Sequence, residues 1–249
     1  MIRVENFHKA YAETIAVRGV DFEVQAGRIL GMVGPNGAGK TTTLRAICGV
    51  TAFARGAIAV AGHDVERQPI AAKQRIGYIP DDPQLFPDLT VEQHLAFIAS
   101  TYQVADAAEK AAGLCQQFEL SAKRNTAARN LSRGMRQKLA ICCAYLHDPT
   151  ALLFDEPLTG LDPRGIRTLK ETIRQRAADG AAVIVSSHLL AMVEDICTHV
   201  LVLAKGRQRF CGPLSELRTT FAGEQTDASL ENIFFHATET PDVETAPAL

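Results

Sequence analysis

The sequence has little of what marks several large classes of protein. Net charge is only −2, so no broad basic field offers itself to nucleic acid or to an anionic lipid surface. Six cysteines (Cys48, Cys115, Cys142, Cys143, Cys197, Cys211) form no CxxC pair and have no histidine at metal-ligand spacing. They read as small buried apolar residues of a reducing compartment rather than as a disulfide frame. No apolar run approaches the ~20 residues needed to cross a bilayer. The opening residues MIRVENFHKAY carry no apolar leader core, and the expectation is a soluble, cytoplasmic chain. No internal repeat is visible. What remains is a 249-residue chain with an ordinary globular composition, 47% hydrophobic and 22% charged, long enough for one substantial domain or two modest ones.

Short β-rich runs (IRVENF, VDFEV, RILGMVG, GAIAVAG) fill the first sixty residues. Later runs (RIGYIP, ALLFDEP, AAVIVSSH, HVLVLAKG) alternate with helical segments, which predicts a mainly parallel α/β sheet. The all-apolar Ala151–Phe154 is what a strand covered on both faces requires. Between Thr90 and Asn130 strand signals give way to the helical TVEQHLAFIASTYQV and ADAAEKAAGLCQQFEL, which predicts a helical insertion. The last stretch, ATETPDVETAPAL, has no periodicity and is expected to be a disordered tail over residues 237–249.

The segment GPNGAGKTT, Gly34 to Thr42, follows an apolar strand and precedes a helical run, the context in which GxxxxGK[ST] has chemical meaning. Gly34, Gly37 and Gly39 let the backbone curl until its N–H groups face phosphate oxygens. Pro35, Asn36, Ala38 and Thr42 complete the loop, Lys40 supplies a point charge to the β- and γ-phosphates, and the Thr41 hydroxyl suits Mg²⁺. Asp155 and Glu156 end the strand ALLFDEP. Asp155 is expected to hold the same Mg²⁺, and Glu156 to orient or deprotonate an attacking water. An Asp-Glu pair alone is an ordinary strand end; with the lysine loop it describes a nucleoside triphosphatase. LSRGMRQ, Leu131 to Gln137, adds a second anion cradle, a Ser-x-Gly turn running into a helix.

With these motifs in this order, the chain resembles the nucleotide-binding subunits of ATP-binding cassette (ABC) transporters over about residues 1 to 220. Gly34–Thr42 matches the Walker A loop, Leu152–Glu156 the Walker B strand and Leu131–Met135 the signature motif. Leu161 and Asp162 match the D-loop, and His188 matches the switch histidine, a γ-phosphate contact. Tyr11 stands where the family places an adenine-stacking aromatic. The resemblance implies an α/β P-loop NTPase core with a mainly parallel sheet, an N-terminal antiparallel β subdomain and an inserted helical subdomain. It implies a cassette over residues 1–236 with the helical part at about 88–145, its region around 81 to 130 docking the membrane partner. It also implies ATP and Mg²⁺ as ligands, and a second cassette, taken as another copy of this chain, whose nucleotide Ser132 and Gly134 would cover. Asp162 would belong to that same shared nucleotide site. A separate transmembrane permease subunit would hold the protein at the cytoplasmic face of the membrane, with no nucleic acid partner.

Two departures from the family pattern stand out. The common signature LSGGQ is LSRGM here, with Arg133 and Met135 in the third and fifth positions; SxGM forms resemble cassettes of exporters with separately encoded membrane subunits. Arg133 and Arg136 read as solvated helix charges. Asp81 occupies the place of the Q-loop glutamine and is expected to reach Mg²⁺ or its water through a carboxylate oxygen, being acceptor-only. Two other function classes share parts of the pattern. A soluble ABC-type regulator of ribosomes or DNA carries two cassettes or a long coiled coil, and a small-molecule kinase has no use for the signature.

Overall fold

Alternation along four apolar strands sets the layering. Side chains of successive strand residues point to opposite faces, and here both faces are covered. The structure, a computed structural model, describes residues 1–221 and Phe234. Its strands are β1 (Ile2–Tyr11), β2 (Thr14–Val24), β3 (Ile29–Val33), β4 (Arg55–Val60), β5 (His63–Asp64), β6 (Ile76–Ile79), β7 (Ala151–Asp155), β8 (Ala182–Ser186), β9 (His199–Ala204) and β10 (Arg207–Pro213). Its α-helices are α1 (Lys40–Ile47), α2 (Pro69–Lys73), α3 (Val91–Tyr102), α4 (Ala107–Gln117), α5 (Arg133–Tyr145), α6 (Pro163–Ala178), α7 (Leu190–Ile196) and α8 (Leu214–Phe221). The proposed tail, 237–249, lies outside the described residues.

Two sheets result. One is antiparallel in the order β2-β1-β4-β5, and the other runs β10-β9-β3-β8-β7-β6. Strands β9, β3, β8, β7 and β6 are parallel, and β10 closes the edge antiparallel to β9. Along β7, Leu152 and Phe154 enter a core shared with α3 to α7, while Ala151 and Leu153 enter a second core shared with α1 and the antiparallel sheet. Strands β3, β8 and β9 divide in the same way: Val183, Val185, Val200 and Val202 face one core, and Ile184, Leu201 and Leu203 the other. All of these are fully buried, each Val, Leu, Ile or Phe among them stabilising the fold by about 1.5–3 kcal/mol.

The chain between β6 and β7 forms α3, α4, two short 3₁₀ turns and α5, the only strand-type pairing among these described residues being the isolated bridge Thr90–Ala127. Helix α3 begins in a full capping box: the Thr90 hydroxyl accepts from the Gln93 amide, and the Gln93 side chain accepts from the Thr90 amide. Four cysteines are buried and Cys143 is half-buried, but Cys211 is exposed. That one departs from the expectation of buried thiols, because it sits on the edge strand β10.

Candidate functional site

The residues singled out in the phosphate loop, Walker B strand and switch lie just past the C-terminal ends of parallel strands. Gly34 follows β3, Asp81 follows β6, Glu156 follows β7 and His188 follows β8. In open α/β sheets this edge is where ligands bind.

The loop from Gly34 to Gly39 has the shape of a phosphate cradle for steric reasons that no other residue satisfies. A Cβ on Gly34 would stand 2.3 Å from the Leu203 carbonyl oxygen. Gly39, at φ +105°, would bring a Cβ within 2.9 Å of the Ala16 carbonyl on β2. Helix α1 starts directly from Gly39 without a side-chain cap, which leaves its first amides free for an anion. The Lys40 side chain is almost buried. Its ammonium donates to the Gly34 carbonyl at 2.6 Å and the Pro35 carbonyl at 3.3 Å. Burial lowers the Lys40 pKa, while the carboxylates of Glu156 and Asp155 act in the opposite sense.

Tyr11, residues 36–42, Asp81, Asp155 and Glu156 line one cleft of about 460 Å³. Its remaining wall is Thr14, Ile15 and Ala16, which sequence reasoning missed; three small or apolar residues in a strand carry no signal of their own. Tyr11 ends β1 with its ring half exposed and the Lys9 ammonium 4.5 Å from the ring centroid. Gly34 and Pro35 line the adjoining hollow with Asn36, Ser187, His188 and Phe234.

At the base of the cleft, Asp155 is buried and its Oδ1 has no hydrogen-bond partner; the same holds for Oγ of Ser186, its neighbour in register on β8. Buried polar atoms without partners are rare and ask for a ligand. Oxygen donors of this kind, Asp155 with the Thr41 hydroxyl lining the same cleft, fit Mg²⁺, which takes one or two protein oxygens and completes its shell from phosphates and water. Among the described residues no cluster of three His, Cys, Asp or Glu could hold a metal ion.

Glu156 is held in the left-handed region, φ +48°, and accepts from Nδ1 of His188 at 2.8 Å and the His188 amide at 3.3 Å. The switch histidine therefore orients the carboxylate expected to handle water. Neither residue type announces this pairing in the sequence, 32 positions apart.

Ser132, Gly134 and Asp162 are not brought to this cleft. Ser132 caps α5, its hydroxyl accepting from the Met135 amide at 3.2 Å. Gly134 packs on the neighbouring loop: a Cβ there would stand 2.5 Å from the Gly160 carbonyl. Asp162 caps α6 through the Gly165 amide and pairs with Lys138 at 3.2 Å, and that ammonium holds its carboxyl below the ordinary range. Lys138 also meets Glu119 at 3.1 Å. The signature turn and the D-loop thus form one packed unit, and Ser132, Gly134 and Asp162 line no part of the cleft.

Comparison with known proteins agrees with the geometry. The model of the family described as ABC transporter matches residues 17–159. The ABC-type transporter ATP-binding protein EcsA of Bacillus subtilis is 32% identical over 241 residues, covering 96% of this chain and 97% of that protein. The Nod factor export ATP-binding protein I of Cupriavidus metallidurans is 33% identical over 219 residues, covering 87% of this chain and 72% of its own. A solved structure, an ATP-binding subunit of an ABC transporter, superposes with a TM-score of 0.90 at 32% identity over 95% of this chain and 99% of that one. By the family match and by relatives similar over nearly its whole length, the chain belongs to the ABC transporter family, as one of its ATP-binding and ATP-hydrolysing subunits.

Proposed function

We propose that the protein works as a pair of identical cassettes closed around two Mg²⁺-ATP molecules, driving export through a separate membrane subunit. The observation that carries this is the separation of the two anion cradles: Lys40 and Thr41 line the cleft, whereas Ser132 and Gly134 line no part of it. A phosphate site lacking half its donors is completed by a second copy, whose Ser132 hydroxyl and Gly134 amide cover the γ-phosphate.

Each residue then has a role. Lys40 leaves the Gly34 and Pro35 carbonyls for the β- and γ-phosphates, and the amides of residues 36–42 cradle them. Tyr11 stacks on adenine. Thr41 and Asp155, with Asp81 at the rim, hold Mg²⁺, which supplies neutralisation of charge on the phosphate oxygens. Glu156, oriented by His188, accepts the proton of the attacking water. His188 also contacts the γ-phosphate, and Asp162 sets the D-loop at the interface. Loss of the γ-phosphate removes the group that both cassettes grip, so hydrolysis reopens the pair through its differential affinity for the closed state.

The cassette spans 1–236 in this reading, with the helical subdomain at about 88–145. Export is the stated role of the Nod factor relative. No helix among the described residues is long and apolar enough to cross a membrane, which accords with a separate permease at the cytoplasmic face. A cavity of about 450 Å³ lined by Val50, Tyr78, Leu85, Ile98, Tyr102 and His147 lies between β6, α3 and α5. Phe86 and Phe97, next in sequence to its lining residues Leu85 and Ile98, are half exposed with ring centroids 5.6 Å apart, and this apolar face suits a cytoplasmic segment of the membrane subunit. Copurification of the tagged chain from detergent-solubilised membranes tests the partner. A permease should come with it; recovery of soluble protein or ribosomes would favour the soluble regulator instead.

A further inference from the structure

Two of the positions where the chain departs from its family's pattern meet in space. Arg133 Nη2 lies 3.7 Å from Asp81 Oδ1. The aliphatic stem of Arg133 runs over Gly160, where an added Cβ would stand 3.1 Å from Cγ and Cδ of the arginine. The signature turn, the D-loop and the cleft rim are thus bridged by one side chain.

One turn along the same face of α5, Gln137 is fully buried and donates through Nε2 to the Pro80 carbonyl at 3.4 Å. Helix α5 therefore holds this loop twice, by contacts of different durability. That bond runs from a buried amide to a half-buried carbonyl and anchors the backbone beside Asp81. The Asp81–Arg133 pair is beyond hydrogen-bond distance, and its side chains are 50% and 55% exposed. Such a pair adds little to stability and is easily exchanged. Asp81 meanwhile lines the cleft with Thr41 and Asp155. A carboxylate there has two cationic claimants, and a divalent ion attracts it about twice as strongly as a guanidinium at equal distance.

We propose that Asp81 exchanges Arg133 for the nucleotide-bound divalent cation, so that filling the cleft releases the guanidinium of the signature turn. Arg133 is a positioning residue: it sets how readily Asp81 turns to the metal and is freed only once metal and nucleotide are in place. The inference rests on reading the cleft as the Mg²⁺-ATP site.

The test is a titration of Mg²⁺ at a fixed concentration of a fluorescent, non-hydrolysable β,γ-imido ATP analogue, reading bound analogue rather than turnover. Arg133→Gln should lower the Mg²⁺ concentration for half-maximal binding by about two- to fivefold, the range open to an exposed ion pair. Arg133→Lys should stay near wild type, and Asp81→Asn should raise the midpoint. In an Asp81→Asn background, Arg133→Gln should move nothing further, because the competitor has lost what it competes for. An equal shift from Arg133→Gln in both backgrounds would reduce its role to through-space repulsion and overturn the exchange, as would no shift in either. Lys40→Ala separates the two readings. If it binds the analogue as well as wild type, the cleft assignment fails; if binding is lost while the other midpoints stay fixed, only the exchange fails.

Discussion

Replacing Glu156 with glutamine is the sharpest perturbation of the chemistry. Oε2 of Glu156 accepts from Nδ1 and the amide of His188 at 2.8 and 3.3 Å. Glutamine keeps one oxygen that can do the same, so the hairpin of interactions at the β7 end should survive, at a cost under ~1 kcal/mol. Its other arm becomes an amide that cannot take a proton. A positioned base is worth about 10² to 10⁴ in rate, or ~2.7–5.4 kcal/mol on the barrier at ~1.36 kcal/mol per tenfold. Single-turnover hydrolysis at saturating Mg²⁺-ATP should fall by that range, while nucleotide affinity and the melting temperature stay close to wild type. A fall of less than tenfold would refute the assignment of Glu156 as proton acceptor. A matching collapse of the melting temperature would show instead that the carboxylate holds the fold.

Three further outcomes follow from the same geometry. Tyr11→Ala should weaken ATP binding by about five- to tenfold, the lower end of base–aromatic stacking because the ring is half exposed and shared with Lys9; unchanged affinity by fluorescence titration would remove Tyr11 from the site. Gly134→Ala forces a Cβ to 2.5 Å from the Gly160 carbonyl, so overpacking should cost ~1–3 kcal/mol and lower the calorimetric melting temperature by several degrees; an unmoved transition would mean the two loops are not packed. Burial lowers the His147 pKa from 6.5, so below about that pH the unfolded chain takes up a proton that the folded one resists, and stability falls as pH drops. Denaturation midpoints at pH 7.5 and 5.5 should differ less in His147→Gln than in wild type, and equal differences would contradict this.

Local signals in the sequence carried far. Apolar runs at strand spacing located β3, β7, β8 and β9, since strands buried on both faces are continuous in hydrophobicity and need no partner to be recognised. Gly34–Thr42 and Asp155–Glu156 were legible because their chemistry is compact in sequence. Strand β10 was not, because RQRFCGP is an edge strand of mixed polarity defined by its pairing with β9. The division into two sheets depends on contacts between distant segments and was legible only through the family resemblance, which the structure bears out. Arg133 read as a solvated charge; only the fold sets it against Asp81, 52 positions away. Nor does the sequence signal what Gln137 and Lys138 do: both are buried at the joint between α5 and the loops it holds.

The central claim is that each nucleotide site is built from two chains, and subunit mixing tests it most directly. Lys40→Ala removes the phosphate charge from one half-site, and Ser132→Arg fills the cradle of the other. Each variant, carrying Glu156→Gln to hold the closed state and labelled with its own fluorophore, should fail alone to associate on addition of Mg²⁺-ATP. Mixed, they assemble one intact site, the phosphate loop of the Ser132→Arg chain facing the signature turn of the Lys40→Ala chain. The account predicts ATP-dependent energy transfer in the mixture and none in either variant by itself. No signal in the mixture, with the unmutated pair giving one under the same conditions, would contradict a site shared between chains.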